Sequence, residues 1–171
     1  SLDLVDIAGL VKGASQGEGL GNAFLSNIRE MNALAHVVRC FDDENITHVD
    51  GSIDPVRDAE IINLELIMSD LETVSKRLHK CEKLVKTNDK KNKIEHEILL
   101  RVKNDLDQGR LINLDSFNDE EKIIIKSFQL LSSKPTFYIA NISDDGSSAN
   151  ALSNLEAFAS QTGNTVIPTS I

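Results

Sequence analysis

Apolar residues recur along this chain in two rhythms, and the change from one to the other divides it. Leu2 to Ile7 form an apolar run bounded by glycine, too short for a helix and of the length of a buried strand. Five glycines between Gly9 and Gly21 predict a loop. After it, Phe24, Leu25, Ile28 and Met31 are spaced as one face of a short helix, with Asn22 as its N-cap. The run LAHVVRCF predicts a second core strand, and the polar stretch behind it closes on Asp54-Pro55. Strand, loop, helix, strand is the order of a parallel sheet covered by helices.

From Val56 to about Lys86 the rhythm lengthens. Ile67, Leu71, Val74, Leu78, Cys81 and Val85 follow one another at alternating gaps of four and three, the seam of a long helix of coiled-coil type. KTNDKKNK interrupts the seam, and Ile94, Ile98, Val102 and Leu106 continue it on a second helix expected to stop near Gly109. Two helices joined by a short polar loop are expected to pack antiparallel. A third helix is expected after NDEE, capped by Asn118 or Asp119 and carrying Ile123 to Leu131. The sheet pattern returns in PTFYIANI, and a helix over ALSNLEAFASQTG leads to the closing apolar run TVIPTSI. The expected fold is α/β: a mostly parallel sheet flanked by helices in residues 1–53 and 133–171, with a helical hairpin inserted over 54–132.

Composition narrows the class. The 171 residues, 40% of them apolar, suffice for one sizeable domain or a domain with an insertion. No run approaches the roughly 18 apolar residues of a membrane helix, and the first residues lack a signal-peptide layout. No membrane role is expected, and a cytoplasmic location is. Cys40 and Cys81 lie far apart and outside any CxxC pair, which suits buried thiols in a reducing compartment. Cys40 also sits in an apolar strand, which argues against a thiol hydrolase. Net charge is −9, yet Lys76 to Lys93 carries +6, leaving −15 for the remainder. Such a basic hairpin is either a solvated face or a contact for RNA phosphates. With no aromatic residue interleaved, any RNA contact is expected to be unspecific in sequence.

Three expected strand ends carry polar residues, Asp6, Asn141 and Ser170, and open α/β sheets bind ligands at the carboxyl ends of their strands. Asp6 and Gly9 form D-x-x-G, in which the carboxylate can hold magnesium through water and the glycine N–H can face a terminal phosphate. Asn141 and Asp144 form N-x-x-D, which can read a purine edge. Either motif alone is equally an ordinary turn. Their order at successive strand ends points to a purine-nucleotide site with magnesium.

LVDIAGLVKGASQGEGLGNAFLSNIRE, HVVRCF, NITHVDG, DPVRDAEIINLEL and KPTFYIAN closely resemble the YchF subfamily of Obg-related P-loop NTPases, the Obg-like ATPases. The resemblance implies a TRAFAC-class G domain with a helical coiled-coil insertion. It further implies Mg2+-dependent binding and slow hydrolysis of ATP rather than GTP, and a link to the ribosome. By position, Asp6 matches the magnesium-water residue and Gly9 the γ-phosphate sensor, while Leu10 stands where many GTPases keep a water-orienting glutamine. His48 matches a residue that assists hydrolysis. Asn141, Ile142 and Asp144 match the base-recognition motif, and Ser170 the last base-contacting loop. The family pattern is N-x-x-E, and NISD departs from it. An aspartate there could accept from guanine, which keeps GTP open beside ATP. No G-x-x-x-x-G-K-[ST] loop occurs in these residues, so the chain reads as an internal fragment, without P-loop or TGS-type domain, expected to be inactive alone. The alternative from a different class is a nucleotide-independent interaction module, a helical hairpin on a small α/β base.

Overall fold

The computed structural model describes Leu25 and residues 28–41, 53–85 and 90–170, with the side chains of Leu84 and Val85 set aside. The expected strand over Leu2 to Ile7 and the Asn22 cap lie outside these residues. In chain order the elements are β1 (Leu34–Arg39), α1 (Pro55–Val85), α2 (Lys90–Asp107), a 3-10 turn (Leu114–Ser116), α3 (Asp119–Ser127), β2 (Thr136–Asn141), α4 (Ala149–Gln161) and β3 (Thr165–Thr169). They fall into two compact units. The described part of 1–31 groups with residues 62–133, and residues 32–61 group with 134–170.

The sheet unit holds three parallel strands in the order β1-β2-β3. Alternation along each strand separates two faces. Val38, Tyr138 and Ala140 point into a core closed by Leu155 and Ala159 of α4 and by Ala59 from the start of α1. Leu155 is fully buried, which contributes about 2–3 kcal/mol. On the other face Val37, Ile139 and Ile167 lie in register across the strands, and Val37 and Ile167 are exposed. α4 ends where Gly163 takes φ +70°, with Asn164 N–H donating to the Ala159 carbonyl at 2.9 Å and Gly163 N–H to that of Ser160 at 3.3 Å. A left-handed residue is needed there, and glycine adopts it without strain.

In the helical unit the expected seam is internal. Ile67, Val74, Leu78 and Cys81 of α1 bury against Ile98, Leu99, Val102 and Leu106 of α2. Arg77 Nε donates to Glu95 at 2.9 Å, and the Cys81 thiol faces the Asn92 carbonyl at 3.3 Å. The partner number rises on one helix as it falls on the other, so α1 and α2 run antiparallel. α2 ends at Asp107, and Gly109 just beyond it takes φ +69° in the same kind of left-handed cap. Asn118 is the cap of α3, in a reciprocal pair of 2.9 Å bonds with Glu121.

α3 differs from expectation at its other end. The helix closes at Ser127, not Leu131. Gln129 turns to φ +53°, and Leu130 and Leu131 are buried beyond the helix. Their apolar pattern reflects burial in a tethered loop. The tether is Asp70 of α1, whose fully buried carboxylate accepts the Leu131 N–H at 3.0 Å, the Ser132 N–H at 2.7 Å and the Ser132 hydroxyl at 2.6 Å.

Candidate functional site

The carboxyl ends of the three strands are level. Arg39, Asn141 and Thr169 stand in register, and the ladder continues one residue further. Cys40 N–H donates to the Asn141 carbonyl at 2.9 Å, and Ile142 N–H to that of Thr169 at 3.0 Å. Asn141 is therefore held on the central strand, and Ser170 follows the neighbouring one, exposed. The Asn141 Oδ1 is buried and has no hydrogen-bond partner among the described residues. Burying such an oxygen unpaired costs about 1–3 kcal/mol, so this amide is a group in want of a donor. Ile142 packs onto the sheet core.

The loop that follows sorts its two aspartates. Asp145 accepts the Ser147 N–H at 2.9 Å and bonds the Ser143 hydroxyl, while Ser143 N–H donates to the buried Ser148 hydroxyl at 2.9 Å. The Ser143 hydroxyl, followed by the Ser147 N–H, holds the Asp145 carboxyl down at about 2. Gly146 makes the turn with φ +78°. Asp144 is exposed, and no bond to another described residue ties it down. One carboxylate thus shapes the loop, and its neighbour faces solvent.

Asp6, Gly9, Leu10 and His48 lie outside the described residues. Among the described residues no group of three metal-ligating side chains converges. Cys40 is buried at the end of β1, and burial, then Asp58, pushes its thiol up to about 11. That removes the thiolate a nucleophile needs.

The basic hairpin is less basic in three dimensions than in sequence. Lys76 pairs with Glu72 and Arg77 with Glu95, two acids outside the Lys76–Lys93 stretch. Lys80, Lys83 and Lys90 are exposed, with no ion pair to a described residue. Lys80 borders a groove of about 440 Å³ between α1 and α2, floored by Thr73, Cys81 and Asn92. The buried Asp70 and its partner Arg29 are absent from the sequence reading. A polar residue between apolar seam positions carries no signal that separates burial from exposure.

A parallel sheet with level strand ends is shared by doubly wound α/β folds, and the likenesses that follow make this one the P-loop GTPase domain fold. The model of the 50S ribosome-binding GTPase family matches residues 1–142, and the chain belongs to that family. Within it the relatives are YchF proteins and Obg-like ATPases. The chain is 50% identical over 145 residues to the ribosome-binding ATPase YchF of Bacillus subtilis, covering 85% of this chain and 40% of that protein. It is 44% identical over 169 residues to the Escherichia coli O157:H7 protein of the same description, covering 98% and 47%. Obg-like ATPase 1 of Caenorhabditis elegans is 47% identical over 144 residues, covering 84% and 36%. The solved YchF GTPase of Schizosaccharomyces pombe superposes with a TM-score of 0.78 at 38% identity, covering 95% of this chain and 46% of that one. The chain thus spans less than half the length of each of these relatives. No described helix is long and apolar enough to cross a membrane.

Proposed function

We propose that this chain is the base-recognition and switch portion of a ribosome-associated ATPase, organised as a G domain in residues 1–53 and 133–171 with a hairpin inserted over 54–132. The observation that carries the reading is the buried, unpaired Asn141 Oδ1 at the level strand ends, beside an exposed Asp144 that spends no bond on its own loop. A purine and the phosphate-binding segment of the whole protein would supply the missing partner. ATP is favoured over GTP because Ile142 stands where the GTPase motif keeps lysine, and because relatives are described as ATPases. Hydrolysis then assigns Asp6 to the water shell of Mg2+, the Gly9 N–H to the γ-phosphate, and His48 to orienting the water that Leu10 cannot bond. Asp6, the residue assigned to that water shell, lies outside the described residues. Titration of the full-length protein with ATP and GTP in Mg2+ is expected to show tighter binding of ATP. Tighter GTP binding sinks the ATP assignment, and no binding of either sinks the nucleotide reading.

A second reading, contact between the hairpin and ribosomal RNA phosphates, is favoured by Lys80, Lys83 and Lys90. Replacing all three by alanine should flatten the salt dependence of RNA binding by about two in log–log slope. An unchanged slope removes these lysines from the contact.

A further inference from the structure

Ser148 stands where a helix cap is expected and does not act as one. A serine at the start of a helix ordinarily takes extended backbone and accepts an N–H of the first turn. Ser148 opens α4 with helical backbone instead, φ −78° and ψ −4°, and its side chain makes no cap bond. The residue is buried, 3% exposed, and its hydroxyl is turned back onto the loop that follows β2.

There it holds Ser143 twice. The Ser143 N–H donates to the Ser148 Oγ at 2.9 Å, and the two hydroxyls lie 3.1 Å apart. The Ser143 hydroxyl gives its one proton to Asp145, so across those 3.1 Å the donor is the Ser148 hydroxyl. By the same reasoning the Ser147 hydroxyl donates to Ser143 at 2.8 Å. Asp145 in turn accepts the Ser147 N–H at 2.9 Å. Three hydroxyls and one carboxylate close the loop around Ser143.

Ser143 is the third residue of N-x-x-D. The second, Ile142, is fixed by its N–H on the Thr169 carbonyl at 3.0 Å and by its side chain in the sheet core. Both inner residues of the motif are thus tied to the fold. The outer two keep polar groups that no described residue uses, the Asn141 Oδ1 and the Asp144 carboxylate.

We propose that Ser148 is a positioning residue for base recognition: by clamping Ser143 it sets the spacing of Asn141 and Asp144 before a nucleotide arrives. The inference rests on the nucleotide reading above and adds the residue that preorganises its loop. A loop set in advance needs no ordering on binding, so loss of the clamp weakens ATP and GTP alike. The base stands apart from the phosphate that reacts. Its contacts are the same in ground and transition states, so the loss appears in KM and not in kcat.

The test compares Ser148→Ala with the parent in the full-length protein. Without nucleotide, the Ser143 amide is expected to exchange about tenfold faster. The Leu152 amide of α4, which donates to the Ser148 carbonyl at 2.9 Å, should be unchanged. Titrations with ATP and GTP in Mg2+ should show both affinities about tenfold lower, with KM for hydrolysis raised to match and kcat within about twofold of the parent. Ser148→Ala combined with Asp145→Ala should lose less than the product of the single losses, because both residues hold Ser143. Unchanged affinities in a variant whose Ser143 amide exchanges faster overturn the proposal. Faster exchange at Leu152 as well as Ser143 also overturns it, by making Ser148 a support of the helix. A parent that binds neither nucleotide removes the nucleotide reading itself, and the parent titration shows that without any variant.

Discussion

Arg29 and Asp70, 41 residues apart, form an ion pair at 3.0 Å in which the aspartate is fully buried and the arginine 19% exposed. Two N–H groups and a hydroxyl complete the shell of that carboxylate. A buried charge survives only when its oxygens are satisfied, and here they are.

The asymmetry of this pair sets its mutational response. Asp70→Ala strands Arg29, two backbone donors and a hydroxyl, and is expected to cost about 3–5 kcal/mol. Arg29→Ala leaves Asp70 with its other three donors and should cost about 1–3 kcal/mol. Urea unfolding of both variants checks the order, and a larger loss for Arg29→Ala would show that the arginine, not the aspartate, organises the cluster.

The two adjacent aspartates after β2 should separate by nucleotide. Only guanine offers a carboxylate both N1–H and N2–H, so Asp144→Ala is expected to weaken GTP by about tenfold while leaving ATP nearly unchanged. Asp145→Ala, which unties Ser143 and Ser147, should weaken both alike. Parallel titrations of the full-length protein decide it, and equal losses from Asp144→Ala would take that residue out of base recognition.

His36 stacks against Tyr138 with ring centroids 5.6 Å apart, and desolvation lowers its pKa to about 4, against a smaller opposing pull from Asp58. The folded state therefore favours neutral imidazole. The unfolded chain binds a proton near pH 6.5, so the contribution is complete above that pH and is lost as pH falls from 6.5 toward 4. The loss should be on the order of 2–3 kcal/mol. Urea midpoints at pH 7 and pH 4.5 should converge for His36→Phe relative to the parent. An equal drop in both proteins would place the acid sensitivity elsewhere.

Gln129 holds φ +53° at the end of α3, a conformation that costs a residue with a Cβ about 1–2 kcal/mol. Its side chain is exposed and its carbonyl, which receives Arg29, survives substitution. Gln129→Gly is expected to raise stability by about 0.5–1 kcal/mol after the added freedom of the unfolded chain is counted. A lower melting temperature would show that the glutamine side chain has a compensating contact.

Legibility in the sequence followed the range of the interaction. The seam Ile67, Val74, Leu78 and Cys81 was readable because a 3.6-residue period places those positions on one face whatever lies opposite. Gly109 as a helix stop and Asn118 as a cap were readable because each is settled within a few residues. Asn141 at a strand end was readable from the apolar run before it. The count of +6 over Lys76–Lys93 stands, and what it could not show is that Lys76 and Arg77 pair with Glu72 and Glu95 on either side of the counted stretch.

Among the described residues, the sequence by itself determined the order of strands and helices, the antiparallel pairing of α1 with α2, and that Asn141 reaches the carboxyl end of the sheet. Tertiary structure alone decided that α3 stops at Ser127, that Asp145 and not Asp144 holds the loop, and that Asp70 is buried. The physical reason is one of distance along the chain. Periodicity and caps are local, whereas the donors that make burial of Asp70 tolerable come from 41, 61 and 62 residues away and exist only once the chain has folded.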